Sequence, residues 1–381
     1  YTVTDGAPVE PHTFSVLIDE RNSWYSVVIR ETKKRKITLW DSLKLFPCAL
    51  EYLHQEYGTP AHKVEVTQEF YNRLRGEGHE PTEEELHYME SDLLVLAETL
   101  REHIRIYGNR FKKTQAGQAF HNFQTFFPSW KLRFPPLEDS QDEQIRPAYW
   151  GGLAYVNPEH QGKDCHNIGS YDINSSYPAQ LSKKPLPYGP LLKETGEGQE
   201  PDYTKFWVGE LLATFKLKPG HIPCIPTRAV TEGRPVTLDK WLTDSKEVVR
   251  LVISSVDYIT ILEQYEFTVI RWNWALHWGQ RRHREIAAFV NTNNVTKVTN
   301  RARAKQTEDP ELKRELLNRA NRAKIDNNAF YGKFGEDIIK HRKTPELEAG
   351  GVVYRNAEPD IVPLNRRRFL PVAIAVTAWA R

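Results

Sequence analysis

The chain has 381 residues, 39% of them hydrophobic, and a formal net charge of +2. This length predicts two or three domains with a sizeable core, and the small net charge means that a nucleic-acid surface has to be sought in local clusters. The three cysteines, Cys48, Cys165 and Cys224, lie far apart, which argues against a disulfide framework or a zinc site and for a reducing cytoplasm. Neither a membrane span nor a signal peptide is expected, because no apolar run has the required length or position.

Alternating apolar residues predict three strands near the start of the chain, at residues 13–18, 24–30 and 37–40. A basic tetrad at residues 33–36 lies between the last two of them. Because a hairpin connection is solvated, this tetrad is most simply a turn on the surface.

Two short patterns follow the strands. Ser42 and Leu43 open the sequence Ser-Leu-Lys-Leu-Phe, where Ser42 is either the cap of a short helix or, with Leu43, part of a binding motif. Lys63 begins Lys-Val-Glu-Val, a Lys-x-x-hydrophobic pattern that is weak by itself. Only its position between neighbouring motifs gives it meaning.

A capping box, Thr-Glu-Glu-Glu at residues 82–85, predicts a long helix that ends near residue 106. Tyr88 and Asp92 are four residues apart and therefore share one face of this helix. An Asp is suited to binding a divalent metal and a Tyr to orienting an attacking water. The alternative is an exposed carboxylate on an acidic helix.

Residues 107–136 interleave Lys and Arg with Phe and Trp, and residues 137–144 are acidic. Such a segment either grips a single nucleic-acid strand or packs as a helix with a solvated face. The acidic stretch follows two prolines and is typical of a linker.

The central stretch of the chain is Tyr-Asp-Ile-Asn-Ser-Ser-Tyr-Pro at residues 171–178, about 20 residues after Tyr149-Trp-Gly-Gly152. Paired glycines permit a close approach of the backbone to phosphate. Pro178 is expected to keep Tyr177 out of a helix, so that the strand ends in a turn. Taken alone, residues 149–152 are also compatible with an ordinary strand connection. Residues 171–178 alone are also compatible with a strand end that carries an Asp turn.

Residues 183–275 contain short strands separated by Gly and Pro, and residues 251–253 begin another strand-rich piece. Further on, every second residue is large and apolar: Trp272, Trp274, Leu276 and Trp278. This spacing favours a half-buried strand over a base-stacking platform.

The densest cluster of Lys and Arg lies in residues 281–324. A helical hairpin is predicted there, and its second helix is predicted to start at Asp309-Pro310. A basic face of this kind suits phosphate, although a solvated helix surface is the alternative. Lys324, Asn328 and Tyr331 recur at i, i+4 and i+7 and are predicted to share a face of the second helix.

Together these patterns resemble family B DNA polymerases. Residues 171–178 resemble motif A, and Lys-x-x-x-Asn-x-x-Tyr-Gly at residues 324–332 resembles motif B. The Tyr-Trp-Gly-Gly sequence is similar to a motif of the protein-primed branch found in phages and linear plasmids. Thr377-Ala-Trp-Ala-Arg381 resembles a Thr-x-x-(Gly/Ala)-Arg motif, and the motifs occur in the order of the family.

The resemblance implies a DNA-directed DNA polymerase that adds dNTPs by two-metal phosphoryl transfer, with an associated 3′–5′ exonuclease. The implied cofactor is Mg²⁺, with Mn²⁺ as a substitute. The implied partners are a primer–template DNA, dNTPs and a terminal protein that primes synthesis, and the implied location is the cytoplasm of the host, bacterial if a phage encodes the chain. A primer-independent relative with the same insertions remains an alternative.

The resemblance also implies roles for individual residues. The catalytic pair is Asp172 and Lys324, and the metal ligands are Asp172 and Asp92. Nucleotide contacts are implied for Ser175, Ser176, Tyr177, Lys313, Lys324, Asn328 and Tyr331. DNA contacts are implied for Ser42, Leu43, Tyr149, Gly151, Gly152, Gly332, Thr377 and Arg381. Exonuclease roles are implied for Lys63, Tyr88 and Asp92.

The implied fold is α+β, with a partial ribonuclease-H-like 3′–5′ exonuclease domain, a polymerase palm and helical fingers with two insertions. The implied segments are 1–110, the C-terminal part of the exonuclease domain; 111–148, a linker; 149–183, the palm with motif A; 184–280, an insertion that contacts the priming protein; 281–335, the fingers with motif B; 336–365, a second small insertion in the form of a charged loop; and 366–381, the start of the remaining palm.

Some features depart from the family. Ser176 and Ala329 stand where the family commonly has Leu and Ser, and neither motif C nor the first exonuclease motifs are recognisable. We therefore expect an internal fragment of a longer protein that is inactive alone. The alternatives are a non-catalytic remnant that binds nucleic acid or the terminal protein, and a nuclease whose polymerase half is vestigial.

Overall fold

The computed structural model describes residues 2–3, 10–108, 111–157, 159–169, 173, 175–233, 240–348 and 351–381. The chain divides into two units, each made of three segments. The first unit consists of residues 1–122, 292–327 and 341–360. The second unit consists of residues 123–291, 328–340 and 361–381.

The strands are β1 Thr2–Val3, β2 Thr13–Ile18, β3 Trp24–Arg30, β4 Lys36–Trp40, β5 Leu186–Thr195, β6 Phe206–Leu217, β7 Ile225–Pro226, β8 Val230–Glu232, β9 Trp241–Leu242, β10 Val249–Ser254, β11 Tyr265–Arg281, β12 Ile339–Lys340, β13 Lys343–Glu348, β14 Gly351–Asn356 and β15 Asp360–Ile361.

The α-helices are α1 Leu50–Tyr57, α2 Gln68–Asn72, α3 Glu83–Tyr107, α4 Gln115–Phe126, α5 Trp130–Arg133, α6 Asp139–Ile145, α7 Ser176–Lys183, α8 Ser255–Gln264, α9 Arg284–Gln306, α10 Pro310–Ala329 and α11 Leu370–Ala380. None of the helices in the described part of the chain has the length and apolar character needed to cross a membrane.

A sheet in the order β14-β13-β2-β3-β4, with β1 parallel to β2, lies in the first unit, which also contains α1 to α3 and parts of α4, α9 and α10. The three strands predicted at the start of the chain are confirmed. The charged loop predicted within residues 336–365 is wrong, because β13 and β14 form a hairpin there. Lys343 of this hairpin pairs with Ile18 of β2, a contact that no local pattern encodes.

A five-stranded sheet in the order β5-β11-β6-β10-β8 is the centre of the second unit. The expectation of short strands is confirmed for β7, β8 and β9 but wrong for β6, which has 12 residues, and for β11, which has 17. Trp272 and Trp278 are buried in β11 as predicted, whereas Trp274 is only partly buried. The pairing of β11 with β6 shifts register between Trp272 and Trp274, which explains why strict alternation fails there.

The segment predicted as a linker is largely helical, since α4, α5 and α6 lie within it. Its aromatic residues Phe123, Trp130 and Phe134 are buried. Phe123 stacks on Phe330 with ring centres 5.0 Å apart, and Phe134 lies 5.6 Å from Phe334. These rings therefore pack within the second unit, which favours the packing alternative over a grip on a nucleic-acid strand.

The predicted helical hairpin is confirmed as α9 and α10. Asp309 caps α10, because its carboxylate accepts hydrogen bonds from the backbone of Glu311 at 2.9 Å and of Leu312 at 3.3 Å. Pro310 occupies the first helical position, where its missing N–H costs nothing.

Candidate functional site

Lys63, Tyr88 and Asp92 come together in the first unit. The capping box of α3 is present, and the helix holds Tyr88 and Asp92 one turn apart. The ammonium nitrogen of Lys63 lies 3.8 Å from Asp92 Oδ1 and 5.1 Å from the centre of the Tyr88 ring. The backbone N–H of Val64 donates to Ser91 Oγ at 3.3 Å, which attaches the segment after Lys63 to the same helix. We call these three residues the Lys63 cluster.

The Lys63 cluster is electrostatically coupled. The pKa of Lys63 is raised, first by its interaction with the Tyr88 hydroxyl and then by the Asp92 carboxylate, against the effect of partial burial. Asp92 Oδ1 is buried and has no hydrogen-bond partner in the part of the chain that the structure describes. A buried carboxylate oxygen in that state is suited to a cation.

Tyr71 lies beside the Lys63 cluster but was not predicted from the sequence. Its hydroxyl lies 3.2 Å from the Tyr88 hydroxyl. It also lines a cleft of about 510 Å³ together with Lys63 and His54. The available signal was the aromatic pair Phe70-Tyr71, which follows the Lys63 pattern directly on α2.

Ser42 and Leu43 lie on a short 3₁₀ helix, Ser42–Lys44. The interpretation of Ser42 as its cap is wrong, because Asp41 accepts the capping hydrogen bond from Leu43 at 2.9 Å. The Leu43 side chain is 54% exposed, which leaves it accessible to a ligand.

Tyr177 is helical, contrary to the prediction from Pro178. Ser175 adopts a left-handed conformation, with φ 55° and ψ 48°, and α7 begins directly after it. Pro178 is the third residue of α7 and therefore lies in the first turn, where backbone N–H groups have no intrahelical partner. Ser175 and Ser176 thus form the start of α7. Asp172 lies outside the described residues.

Tyr177 and Tyr331 form a stacked pair in the second unit, with ring centres 4.4 Å apart and planes inclined by 18°. Tyr331 does not continue α10, which ends at Ala329, but begins the 3₁₀ helix Tyr331–Gly335. The prediction that it shares a helix face with Lys324 and Asn328 is therefore wrong. Its pKa is raised by burial first and by Tyr177 second.

Two glycines leave room for the rings of Tyr149 and Tyr177. A side chain at Gly152 would meet the Tyr177 hydroxyl at 3.1 Å, and one at Gly335 would overlap the Tyr149 ring. Burial also raises the pKa of Tyr149, with a smaller contribution from Tyr177. We call Tyr149, Tyr177 and Tyr331 the tyrosine cluster.

The turn at residues 149–152 is held by charged groups from other parts of the second unit. The guanidinium of Arg381 donates to the carbonyls of Trp150 at 3.3 Å and of Gly151 at 3.2 Å, and it pairs with Asp257. Arg228 donates to the carbonyl of Tyr149. The side chains of Asp257 and Arg381 are both 4% exposed.

Thr377 is buried in α11, and its hydroxyl donates back to the carbonyls of Ala373 at 2.9 Å and Ile374 at 3.1 Å. As placed, it offers no exposed atom to DNA. Gly332 differs, because a side chain added there would meet nothing within 4 Å. The backbone at Gly332 is therefore open to a close approach.

Lys313, Lys324 and Asn328 are exposed on α10. Lys313 and Lys324 are 11 residues apart, which places them about 20° apart around the helix and about 16 Å apart along it. Both ammonium groups therefore lie on one face. Within the described ranges, no three His, Cys, Asp or Glu side chains meet in a group that would hold a metal.

Comparison with known proteins decides the family. The family described as DNA polymerase type B, organellar and viral, matches residues 67–358. The chain belongs to this family of type B DNA polymerases.

Among curated type B relatives, the DNA polymerase of Bacillus phage Nf is 25% identical over 379 residues, covering 97% of this chain and 62% of that protein. The DNA polymerase of Bacillus phage phi29 is 26% identical over 380 residues, with 97% and 61% covered. The chain thus spans about three fifths of the length of these polymerases.

A solved structure of phi29 DNA polymerase, complexed with primer-template DNA and incoming nucleotide substrates, matches with a TM-score of 0.74 and 25% identity. The match covers 99% of this chain and 63% of that one. The mixed helix and sheet content of the chain is therefore that of a type B polymerase fold, and the α+β class predicted from the sequence is confirmed. The functional borders assigned from the sequence stay predictions.

Proposed function

We propose that the protein carrying this chain is a DNA-directed DNA polymerase of the protein-primed type, with an associated 3′–5′ exonuclease. The stacked pair of Tyr177 and Tyr331 carries the proposal. It joins a residue of the motif A pattern to one of the motif B pattern, next to Gly152, in a chain of the type B family.

Phosphate recognition is assigned to the start of α7 and to the basic face of α10. Ser175, Ser176 and Tyr177 stand at the N-terminus of α7, and the positive end of a helix dipole favours an anion. Lys324 and Lys313 are exposed cations on one face, and a lysine neutralises charge that develops on a transferred phosphoryl group. We propose that each of these two groups of residues, taken by itself, contacts phosphate of a dNTP.

The tyrosine cluster is proposed to shape the pocket for the nucleoside. The stacked rings of Tyr177 and Tyr331 are fixed by each other, so they present a rigid apolar surface to a nucleoside. We propose that Tyr177 supports the sugar and excludes a 2′-hydroxyl, and that Tyr331 and Asn328 line the pocket for the base pair. Gly332 is proposed to let the backbone approach the DNA.

We propose that Tyr149, Gly151 and Gly152 contact DNA. Arg381 binds the carbonyls of this turn and pairs with Asp257. We therefore propose that Arg381 acts on DNA through the turn, as a positioning residue. Thr377, whose hydroxyl bonds within α11, stabilises the helix that carries Arg381.

The Lys63 cluster suits hydrolysis of a 3′-terminal nucleotide. Tyr88 is placed to orient a water, Lys63 to neutralise phosphate charge and Asp92 to hold a metal through its buried oxygen. Ser42 and the exposed Leu43 are proposed to contact the single strand that feeds this site.

Mg²⁺, or Mn²⁺ in its place, is the proposed cofactor. Asp92 fits such an ion because one carboxylate oxygen is buried and lacks a hydrogen bond, and Asp172 is proposed as the ligand for polymerisation. When bound, the ions stabilise the attacking and leaving oxygens of phosphoryl transfer.

Extension of a labelled primer tests the proposal in the native, full-length protein with Mg²⁺ and dNTPs. Wild type should extend the primer, and Asp172→Ala should lower the rate by about 10³-fold or more because a metal ligand is lost. Asp202→Ala, which removes an exposed carboxylate of a turn, is the control and should leave the rate unchanged. A wild-type protein that binds DNA without extending it would favour the non-catalytic alternative.

Protein priming has its own readout. Labelled dNMP should become covalently attached to a separate protein when the oligonucleotide primer is omitted and the replicon's priming protein is supplied. Extension that always requires an oligonucleotide would support the primer-independent alternative instead.

A further inference from the structure

A chain of side-chain hydrogen bonds in the first unit ends on Asp326 of α10. The backbone N–H of Lys112 donates to Gln118 Oε1 at 2.8 Å, and Gln118 Nε2 donates to Asn122 Oδ1 at 3.1 Å. Asn122 Nδ2 then donates to both carboxylate oxygens of Asp326, at 2.9 and 3.0 Å. Every amide points the same way, so each bond polarises the next toward the carboxylate.

Asp326 stands on the face of α10 opposite to Lys324. A separation of two residues corresponds to about 200° around a helix. In keeping with this, Lys324 is exposed, whereas Asp326 and Asn327 are buried. Fixing the buried face therefore fixes the direction in which Lys324 points.

Asn327 adds a second anchor, to α9. Asn293 Nδ2 donates to Asn327 Oδ1 at 3.0 Å, and Asn327 Nδ2 donates to Asn294 Oδ1 at 3.1 Å. Two successive buried residues of α10 are thus bonded to α4 and to α9. Hydrogen bonds are directional and therefore resist rotation of the helix about its axis. Apolar contacts are less directional and resist this rotation less.

We propose that Asp326, clamped by Asn122, is a positioning residue that sets the rotation of α10 and thereby aims Lys324 at the triphosphate. The proposal rests on the dNTP-binding role assigned above to Lys324. It goes beyond that role, because Asp326 is buried and bonded to Asn122, and acts only through the helix. We call the bonds between Asn122 and Asp326 the Asn122–Asp326 clamp.

The charge on the clamp changes near neutral pH. Burial raises the pKa of Asp326 to about 7, against the lowering effects of the Asn122 hydrogen bond and of Arg322 on the same helix. Tyr107 of α3 faces the carboxylate as well, and its pKa is raised to about 12 by burial first and by Asp326 second. Ionised Asp326 accepts stronger hydrogen bonds from Asn122 than the protonated acid does.

Exchanging the two partners tests the clamp in the native, full-length protein. Asp326→Asn leaves two amides facing each other and Asn122→Asp leaves two carboxyl groups, so each single variant should lose about tenfold in kcat/KM for a dNTP. The double variant restores one carboxylate and one amide, with the carboxylate still able to accept from Gln118. Its kcat/KM should return to within about twofold of wild type.

The pH profile gives a second readout. The kcat/KM of wild type should rise with pH near pH 7, as Asp326 ionises. The profile of Asp326→Asn should lack this rise. Asn318→Ala is the matched control, because Asn318 is a buried amide of the same helix that bonds to Glu102 at 3.4 Å. It should lower thermal stability without changing the pH profile.

Several outcomes would overturn the clamp. They are a double variant as impaired as the singles, an equal loss of kcat/KM in Asn318→Ala, and single variants with wild-type kcat/KM while wild type extends primers. The last result would leave the polymerase proposal intact. A wild-type protein that neither binds nor incorporates dNTPs would overturn both proposals together.

Discussion

The Lys63 cluster and the tyrosine cluster are built on different physical principles. Lys63, Tyr88 and Asp92 are partly exposed, and charge and hydrogen bonding hold them together. The tyrosine cluster is held by stacked rings and by glycines that leave no room for a side chain. The first cluster should therefore respond to pH and salt, and the second to changes of volume.

The ion pair behind the tyrosine cluster should give the largest effect on stability. Asp257→Ala leaves the buried guanidinium of Arg381 without its carboxylate and should lower the free energy of unfolding by about 3–5 kcal/mol. Chemical denaturation of the native protein measures this loss. Removing both charges, as in Asp257→Ala with Arg381→Met, should recover part of it, and a double variant less stable than Asp257→Ala would contradict the account.

Crowding at the tyrosine cluster should come next. Gly335→Ala places a methyl group into the Tyr149 ring and should cost about 1–3 kcal/mol of stability through overpacking. Gly332→Ala is the matched control, since it meets nothing within 4 Å. That control should keep wild-type stability while weakening DNA binding. Equal stability of the two variants would mean that Gly335 does not pack as described.

The smallest effect concerns the helix that carries Tyr88 and Asp92. The pKa of Glu85 is lowered to about 2, first by the backbone N–H of Thr82 and then by His79 and Arg75. A lowered pKa in the folded state contributes stability above the unfolded value near 4.5, and this stability is lost as pH falls toward 2. The melting temperature of Glu85→Gln should therefore be lower than that of wild type at pH 7.

This difference in melting temperature should shrink between pH 4.5 and 2. Glu83→Gln, which changes an exposed carboxylate of the same first turn, is the control and should follow wild type at every pH. A difference between wild type and Glu85→Gln that stays constant over this range would show that the Glu85 charge is not what stabilises the helix start.

Local patterns predicted much of the fold, because they act over a few residues. The strands β2 to β4, the capping box of α3 and the Asp309 cap of α10 are as expected from the sequence. The shared face of Tyr88 and Asp92 could also be predicted, since the two residues are one helical turn apart. Lys63 was joined to them only by the family resemblance.

Contacts between distant segments could not be predicted in this way. The strand pairing of Lys343 with Ile18 and the stacking of Tyr177 on Tyr331 depend on tertiary packing. The prediction that Tyr177 is not helical was wrong. A proline generally disfavours helix at the preceding residue, but a proline is tolerated in the first turn of a helix, where Pro178 lies. The ion pair of Arg381 with Asp257, which is 124 residues away, is likewise not encoded in any local pattern.

The two clusters are proposed to do opposite chemistry, and one assay compares them directly. On a single 5′-labelled primer–template, the native protein is followed for 3′ degradation without dNTPs and for extension with them. Asp92→Ala should lower degradation by about 10²-fold or more and leave extension within about twofold. Tyr177→Ala should lower extension by about tenfold while degradation persists. Parallel loss of both activities in both variants would contradict two separate sites.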